Sequence, residues 1–424
     1  MIPTRLVHLR EGEAQALAWS FAYFFCLLAA YYVLRPIRDE MGLAGGVRNL
    51  PWLFTATFAT MLVAVPVFGA VVAKLPRRLF IPAVYHFFVL NLVLFWALLE
   101  AGVPREEVAR VFFVWVSVFN LFAVSVFWSF MADVFTSEQG KRLFGLIAAG
   151  GSAGALVGPL VTVLLVEWVG PTNLLVIAAI LLELAVLCAQ RLEFTGNAAA
   201  LRADPPARAD PPKIGGSWIA GITMILRSPY LAGVALWLFC LSLAGTFLYL
   251  EQANIVSAAT ADPAQRTRIF AGIDLTVGIL TILVQFFATG KLLERFGIGR
   301  GAAFLPLVFA LGFVVLALSP ILAVVVAFQA LQRTSNFAIS NPSFQLFFTV
   351  LDREEKYKAK NVIDLVVYRG SDAASSWFFA ALRGLGLELA AISLSVVPVM
   401  AGCIALALVL GRAQERRAAS RQGS

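Results

Sequence analysis

Long apolar segments separated by short polar turns repeat along the whole chain. Each segment holds about 20 residues of low polarity, the length of α-helix that crosses the hydrocarbon core of a bilayer. The pattern predicts an all-α integral membrane protein with twelve transmembrane helices. The segments run approximately over residues 14–34, 50–73, 79–100, 108–131, 143–166, 171–191, 230–252, 270–293, 301–319, 321–347, 361–383 and 389–411.

A polar stretch with two Pro-Pro pairs interrupts the pattern after the sixth segment. Its composition is typical of a flexible linker, and it divides six segments from six. We therefore predict an N-terminal six-helix bundle over residues 1–195, a cytoplasmic linker over 196–216, and a C-terminal six-helix bundle over 217–424. The residues from Ser217 to Leu226 predict a short interfacial helix ahead of the seventh segment.

A short basic turn is duplicated, from Gly69 to Arg78 and from Gly290 to Arg300. The two copies occupy equivalent places, after the second and the eighth segments. Arginines in such turns contact helix C-terminal carbonyls and acids on facing helices, which would let them act as a gate. The alternative is that these cations only follow the positive-inside rule. The gating candidates in the two copies are Arg77, Arg78, Glu294 and Arg295.

Composition supports the bilayer as the solvent of this chain. Of its 424 residues 60% are hydrophobic and 14% are charged, and the mean hydropathy is +0.85. A soluble fold leaves too much surface in water for such a composition. The first segment is too long for a cleaved signal peptide.

The net charge of +8 is distributed unevenly. Most Lys and Arg residues lie in the tails and in the loops on the same side, a pattern that indicates cytoplasmic termini. We expect a multi-pass protein of a bacterial-type cytoplasmic (inner) membrane. No basic surface domain is left to bind nucleic acid.

Cysteine and histidine are too sparse for a metal centre. The four cysteines fall in apolar segments without a C-x-x-C pair, and the two histidines, His8 and His86, are far apart in the sequence. The cysteines are interpreted as small buried apolar residues and His86 as a helix-packing hydrogen-bonding group. No metal, cofactor or catalytic residue is expected.

Charged residues inside apolar segments are costly and usually face a cavity or a partner. The first cluster ends segment one and begins segment two, with Arg35, Arg38, Asp39 and Arg48. Its guanidinium groups would clamp phosphate or carboxylate groups. An interfacial anchor with a salt-bridge gate is the alternative. On a continuous helix the four-residue spacing would let Asp39 pair with Arg35, but Pro36 loosens the turn before it.

A second cluster lies where segments four and five meet. Glu138, Lys141 and Arg142 predict a cytoplasmic charge network, for which we favour a structural, gating role because these residues lie at the membrane interface. The small residues from Gly150 to Pro159 follow directly. They predict a close-packing helix face.

Two further clusters lie in the second half of the chain. Glu251 ends a nearly apolar run in segment seven, and Asp274 lies in segment eight. Glu251 is a candidate proton carrier, a counter-charge for a substrate-binding arginine, or a structural pairing group. Segments ten and eleven carry the other cluster, in which Arg369 and Asp372 have the spacing of a helical pair. Its members are Arg333, Lys360, Asp364, Arg369 and Asp372.

The two groups of six segments and the paired basic turns resemble the major facilitator superfamily along nearly the whole chain. That family's turn runs approximately G-x-L-x-D-R-x-G-R-R. The second copy matches it with Gly290, Leu292, Glu294, Arg295 and Gly297, and the first keeps Gly69, Arg77 and Arg78. The resemblance implies two pseudo-symmetric six-helix bundles that rock around a central site.

The charged clusters resemble more narrowly the ATP/ADP translocase (nucleotide transporter) family. The matching residues are Tyr31, Leu34, Arg35, Arg38 and Asp39, then Asn49-Leu50-Pro51, Trp128, Phe130, Lys141, Arg142, Glu251, Lys358, Lys360, Asp364 and Arg369. Gln139 and Asp372 depart from the family pattern, which has an acid and a lysine there. The resemblance therefore extends to fold and anionic substrate more than to ATP/ADP exchange itself.

These observations predict a secondary transporter of a small organic anion, with a nucleotide as the candidate that the resemblance implies, working as a monomer. The anion-binding candidates are Arg35, Arg38, Arg48, Arg333, Lys360 and Arg369. The coupling or charge-balancing candidates are Asp39, Glu251, Asp274, Asp364 and Asp372. The alternatives are a proton-coupled transporter of another solute and a non-transporting membrane sensor. An integral-membrane enzyme is disfavoured because no catalytic motif is present.

Overall fold

Long α-helices follow the apolar segments of the chain. The structure is a computed structural model, and it describes residues 13–74, 77–194, 218–285 and 290–422. The predicted linker therefore lies outside the described residues, and its boundaries stay a prediction. The first helices are α1 (Glu13–Ala44), α2 (Leu50–Lys74), α3 (Arg77–Glu100), α4 (Arg105–Val134) and α5 (Ser137–Phe194).

The later helices are shorter in places. They are α6 (Trp218–Arg227), α7 (Pro229–Ala259), α8 (Pro263–Val284), α9 (Gly290–Leu318), α10 (Leu322–Ser335), α11 (Asn341–Phe347), α12 (Arg353–Val362), α13 (Tyr368–Gly384) and α14 (Leu389–Gln422). The helix α6 coincides with the predicted interfacial segment. π-Helical turns at Asn336–Ser340 and Ile363–Val367 interrupt the tenth and eleventh predicted segments.

Nine helices in the described part of the chain are long and apolar enough to cross a membrane. One candidate, Arg142–Glu193, covers two predicted segments. The boundary between them is a kink in α5 at Gly170, which has a φ of 77° and is followed by Pro171. The tenth and eleventh segments are not among the nine because the π-helical turns divide them into short helices. The all-α membrane fold is confirmed, and the exact number of twelve crossings stays a prediction.

The chain divides into two compact units. Unit 1 comprises Met1–Gly45, Thr60–Pro211 and Asp262–Leu275, and unit 2 comprises Gly46–Ala59, Pro212–Ala261 and Thr276–Ser424. The beginning of α8 thus belongs to unit 1 and the beginning of α2 to unit 2. In unit 2 the Trp377 indole donates to Thr55 Oγ1 at 2.9 Å and meets the Trp52 ring edge-on. These contacts attach the first turns of α2 to α13.

The predicted close-packing face on α5 is confirmed within unit 1. A Cβ atom at Gly150, Gly154 or Gly158 would lie 2.5, 2.3 or 2.6 Å from a backbone carbonyl oxygen of α1. Glycine is required because those oxygens belong to a rigid helix backbone. Small residues thus let two membrane helices approach without side chains between them.

Aromatic side chains fill the remaining core of each unit. In unit 1 the Tyr23 hydroxyl donates to the Tyr85 hydroxyl at 2.7 Å, and Tyr85 donates to the Ala123 carbonyl at 3.0 Å. These hydrogen bonds join α1, α3 and α4. They also give both buried tyrosine hydroxyls the hydrogen-bond partners that buried polar groups require. In unit 2 the fully buried side chains include Trp237, Phe247 and Phe309.

Candidate functional site

In unit 1, the charged end of α1 is occupied by carboxylate–guanidinium pairs. Arg35 Nη1 lies 3.6 Å from Asp274 Oδ1, and the Arg35 side chain is 20% exposed. Asp39 pairs with the adjacent Arg38 at 2.5 Å. The four-residue spacing allowed a pair between Arg35 and Asp39, but the described ion pairs join Arg35 to the buried Asp274 on α8 and Asp39 to Arg38.

The cluster includes two residues that the sequence analysis missed. Glu40 is buried, and Arg105 at the start of α4 donates to its Oε2 at 2.5 Å. Charge-assisted hydrogen bonds of this kind are short and strong. Glu40 directly follows Asp39, so its signal was present in the sequence, but the distance to Arg105 along the chain concealed the pair.

The second predicted cluster contains an ion pair with a further missed residue. Arg142 Nη2 donates to Glu13 Oε1 at 2.8 Å, and Gln139 Nε2 donates to the same oxygen at 3.2 Å. Glu13 is 2% exposed although it is the first residue of α1. The position where the related family carries an acid, Gln139, thus holds an amide that binds a protein carboxylate.

Several gating candidates cannot be placed by contacts. Arg77, Arg78, Lys141, Glu294 and Arg295 fall outside the residues whose side chains the structure describes. Glu138 is exposed in the first turn of α5.

His86, interpreted from sequence as a packing residue, does make an interhelical contact. In unit 1 its Nδ1 lies 3.0 Å from Glu183 Oε1 on α5.

In unit 2, Arg369 and Asp372 form the pair that their spacing predicts. Arg369 Nη1 lies 3.5 Å from Asp372 Oδ2, and the Arg369 side chain is 29% exposed. The other carboxylate oxygen, Oδ1, accepts from Ser242 Oγ at 2.5 Å and from Thr246 Oγ1 at 3.2 Å. Two hydroxyls on α7 thus hold Oδ1 of the carboxylate, and Oδ2 faces the guanidinium of Arg369.

The remaining cations of unit 2 are separate from that pair. Lys360 Nζ donates to the side-chain amide oxygen of Gln345 at 2.7 Å. Asp364, one helical turn after Lys360, is exposed. Arg333 is half-buried in α10, and Arg48 is exposed in the turn Val47–Asn49.

Glu251 is the most deeply buried of the predicted coupling groups. It is 1% exposed on α7, and both carboxyl oxygens lie 2.7 Å from the hydroxyl of Ser393 on α14. Sequence reasoning missed Ser393, because a single serine in an apolar helix is ordinarily a packing residue.

The long apolar helices define a multi-pass membrane protein. A family model described as Major Facilitator Superfamily matches residues 12–358. The chain belongs to this superfamily. The relatives and solved structures described next are named as carriers or transporters.

Two relatives carry the name ADP,ATP carrier protein 1. The protein from Chlamydia muridarum (strain MoPn / Nigg) is 23% identical over 430 residues, covering 84% of this chain and 79% of its own length. The protein from Chlamydia trachomatis serovar D is 24% identical over 428 residues, covering 84% and 80%. The resemblance to nucleotide translocases that the motifs indicate is thus confirmed as a resemblance.

Solved structures share the fold at low sequence identity. A transporter of the POT family in complex with 5-aminolevulinic acid gives a TM-score of 0.62 at 12% identity, covering 94% of this chain and 96% of that one. A mutant of the nucleoside transporter NupG gives 0.59 at 14%, covering 96% and 99%. A bacterial homologue of the lysosomal transporter Spinster, inward-facing and unoccupied, gives 0.55 at 14%, covering 98% and 97%.

Proposed function

We propose that this protein is a secondary active transporter that moves a small organic anion by alternating access. The main support is the Arg369–Asp372 pair. Arg369 is partly exposed, whereas Asp372 is buried and held by Ser242 and Thr246. A carboxylate or phosphate on a solute offers the guanidinium the same chemistry as the Asp372 carboxylate. The solute anion therefore replaces or shares the protein's own counter-charge.

The Arg35–Asp274 pair in unit 1 repeats this arrangement. A guanidinium with 20% of its side chain exposed again faces a carboxylate that is 3% exposed. Ionisable groups inside membrane helices commonly mark a substrate pathway. We assign Arg35 and Arg369 as anion contacts, with Arg38, Arg48, Arg333 and Lys360 as further cationic groups. Asp39 and Asp364 balance charge.

Nucleotides are the first solutes to test, since two relatives are named as ADP,ATP carriers. Asp372 lowers the net positive charge at Arg369, which favours a solute with fewer negative charges than ATP. A graded series of nucleoside mono-, di- and triphosphates, sugar phosphates and monocarboxylates separates these possibilities.

The deciding experiment is counterflow in sealed proteoliposomes. Vesicles loaded with an unlabelled solute should take up the labelled solute faster than empty vesicles do. Inactive Arg369→Ala protein with normal folded yield would support the assigned anion contact. Absence of counterflow for every solute in the series, with purified folded protein, would instead favour the membrane-sensor alternative.

We further propose that the protein resides in the cytoplasmic (inner) membrane as a monomer, with both termini in the cytoplasm. The uneven distribution of Lys and Arg supports this orientation. Protease accessibility of terminal tags in right-side-out and inverted vesicles tests it. Digestion of either tag from the outside would reject the proposed orientation.

A further inference from the structure

The Glu251 carboxyl group and the Ser393 hydroxyl are enclosed by protein in unit 2. Glu251 and Ser393 are each 1% exposed, on α7 and α14 respectively. The Ser393 Oγ atom lies 2.7 Å from Oε1 and 2.7 Å from Oε2. Both distances are those of well-formed O–H···O hydrogen bonds. The site therefore contains two short oxygen–oxygen contacts that share one hydroxyl.

One serine hydroxyl has a single hydrogen to donate. It can satisfy one of the two short contacts with Glu251 as the donor. The other short contact is satisfied when the carboxyl group itself carries a hydrogen and donates it to a lone pair of Ser393 Oγ. A protonated carboxylic acid, with one O–H donor and one carbonyl acceptor, matches the hydroxyl group on both sides.

The surrounding charges agree with a neutral acid. In the described part of the chain, no cationic nitrogen lies within ion-pair distance of Glu251, and its hydrogen-bonding partner is Ser393 alone. An ionised carboxylate that is buried without a cation is strongly unfavourable. The buried carboxylate of Asp372, on α13, is in contrast held by Arg369 and by Ser242 and Thr246 of α7.

The described charged groups on the elements packed against α7 do not pair with Glu251. The titratable and charged groups on those elements are Arg48, Arg227, Arg300, Arg333, Asp364, Tyr368, Arg369, Asp372, Arg383, Cys403, Arg412, Glu415, Arg416 and Arg417. The arginines at the end of α14 begin about 28 Å along the helix from Ser393 at 1.5 Å per residue. None of these groups forms a described ion pair with Glu251.

We propose that Glu251 and Ser393 form a proton-binding site that couples solute movement to a proton. In the conformation described here Glu251 holds the proton, with Ser393 as the positioning residue. In another conformation, separation of Ser393 from Glu251 lets water reach the carboxyl group, which releases the proton as hydronium. One proton is bound from water and one is returned to water, with no other bond changed. This inference rests on the proposed transport function.

Infrared difference spectroscopy tests proton binding without any solute. Spectra of the full-length protein in vesicles are recorded for wild type and Glu251→Gln at neutral pH. We expect the wild type to show a carbonyl stretch of a protonated carboxylic acid that Glu251→Gln lacks, and Ser393→Ala to shift it. Ser395→Ala is the matched control, because Ser395 is an exposed residue whose hydroxyl donates to the Ile392 carbonyl on the same helix. Ser395→Ala should leave the band in place.

Gradient-driven uptake tests the coupling. A one-unit pH gradient sustains at most about tenfold accumulation of a solute when one proton accompanies it and the net charge moved is zero. We expect Glu251→Gln to lose this accumulation while it keeps counterflow, since glutamine imitates the neutral acid. An ionised carboxylate signal from Glu251, or full accumulation by Glu251→Gln, would overturn the proposal. Failure of wild-type counterflow for every solute would overturn the proposed function, while the infrared band still reports the proton.

Discussion

Asp372 Oδ1 accepts a hydrogen bond from Ser242 Oγ at 2.5 Å, while its other oxygen faces Arg369 at 3.5 Å. The carboxylate thus connects α7 with Arg369 in the first turn of α13. Because the serine and threonine hydroxyls occupy one oxygen, the charge of the other oxygen is directed at Arg369. We therefore expect substitutions of Arg369 and of Asp372 to change the affinity for the anion.

Replacing Arg369 by alanine should weaken anion binding without unfolding the protein. Charge-assisted hydrogen bonds are worth roughly 1.5–3 kcal/mol, so the affinity should fall by about 10- to 150-fold. Binding is measured by ligand-induced thermal shift or isothermal calorimetry with the best solute. Arg383→Ala is the matched control, because Arg383 is exposed near the end of the same helix and donates to the Leu387 carbonyl. Normal affinity in Arg369→Ala would remove Arg369 from the site.

Replacing Asp372 by asparagine should strengthen anion binding. The substitution removes the negative charge that competes with the solute for Arg369, and we expect about a tenfold gain in affinity, which equals roughly 1.4 kcal/mol. Glu388→Gln removes the same charge from an exposed position after α13 and should change little. Weaker binding in Asp372→Asn would mean that the carboxylate chiefly positions Arg369.

The Arg35–Asp274 pair should show energetic coupling in a double-mutant cycle. Arg35→Ala leaves the carboxylate of Asp274 in a largely buried place, and Asp274→Asn leaves the guanidinium without this counter-charge. We expect each single variant to be destabilised and the double variant to recover about 0.5–3 kcal/mol relative to additivity. Chemical unfolding of the protein in detergent measures the free energies. Additive losses would show that the two groups are independent.

Enlarging Gly154 should separate α1 from α5. A Cβ atom there would lie 2.3 Å from the Phe25 carbonyl oxygen and 2.9 Å from the Ala29 nitrogen, and neither backbone atom can rotate away. Gly154→Ala should lower the unfolding free energy by about 1–3 kcal/mol.

A second glycine of α5 supplies the control for that measurement. Gly145 has nothing within 4 Å of an added Cβ atom. Gly145→Ala should therefore be neutral or stabilise the helix by up to about 1 kcal/mol. Equal effects of the two alanine substitutions on unfolding in detergent would reject the close-contact explanation.

The all-α membrane class and the superfamily were readable from local patterns. Apolar length depends only on consecutive residues, and the basic turns and small-residue face from Gly150 to Pro159 are short motifs. Residues i and i+3 of a helix share a face, so the Arg369–Asp372 pair was also predictable. The positions of the π-helical turns in segments ten and eleven were not, since neither turn contains a glycine or proline to mark it.

Partners on different helices were decided by the tertiary structure. Asp274 on α8 pairs with Arg35 on α1, and Glu13, Glu40, Arg105 and Ser393 acquired their roles from residues distant in the chain. Sequence spacing constrains contacts within one helix, where geometry repeats every 3.6 residues. Which face of one helix meets which face of another depends on packing of the whole unit, and that information is absent from any single segment.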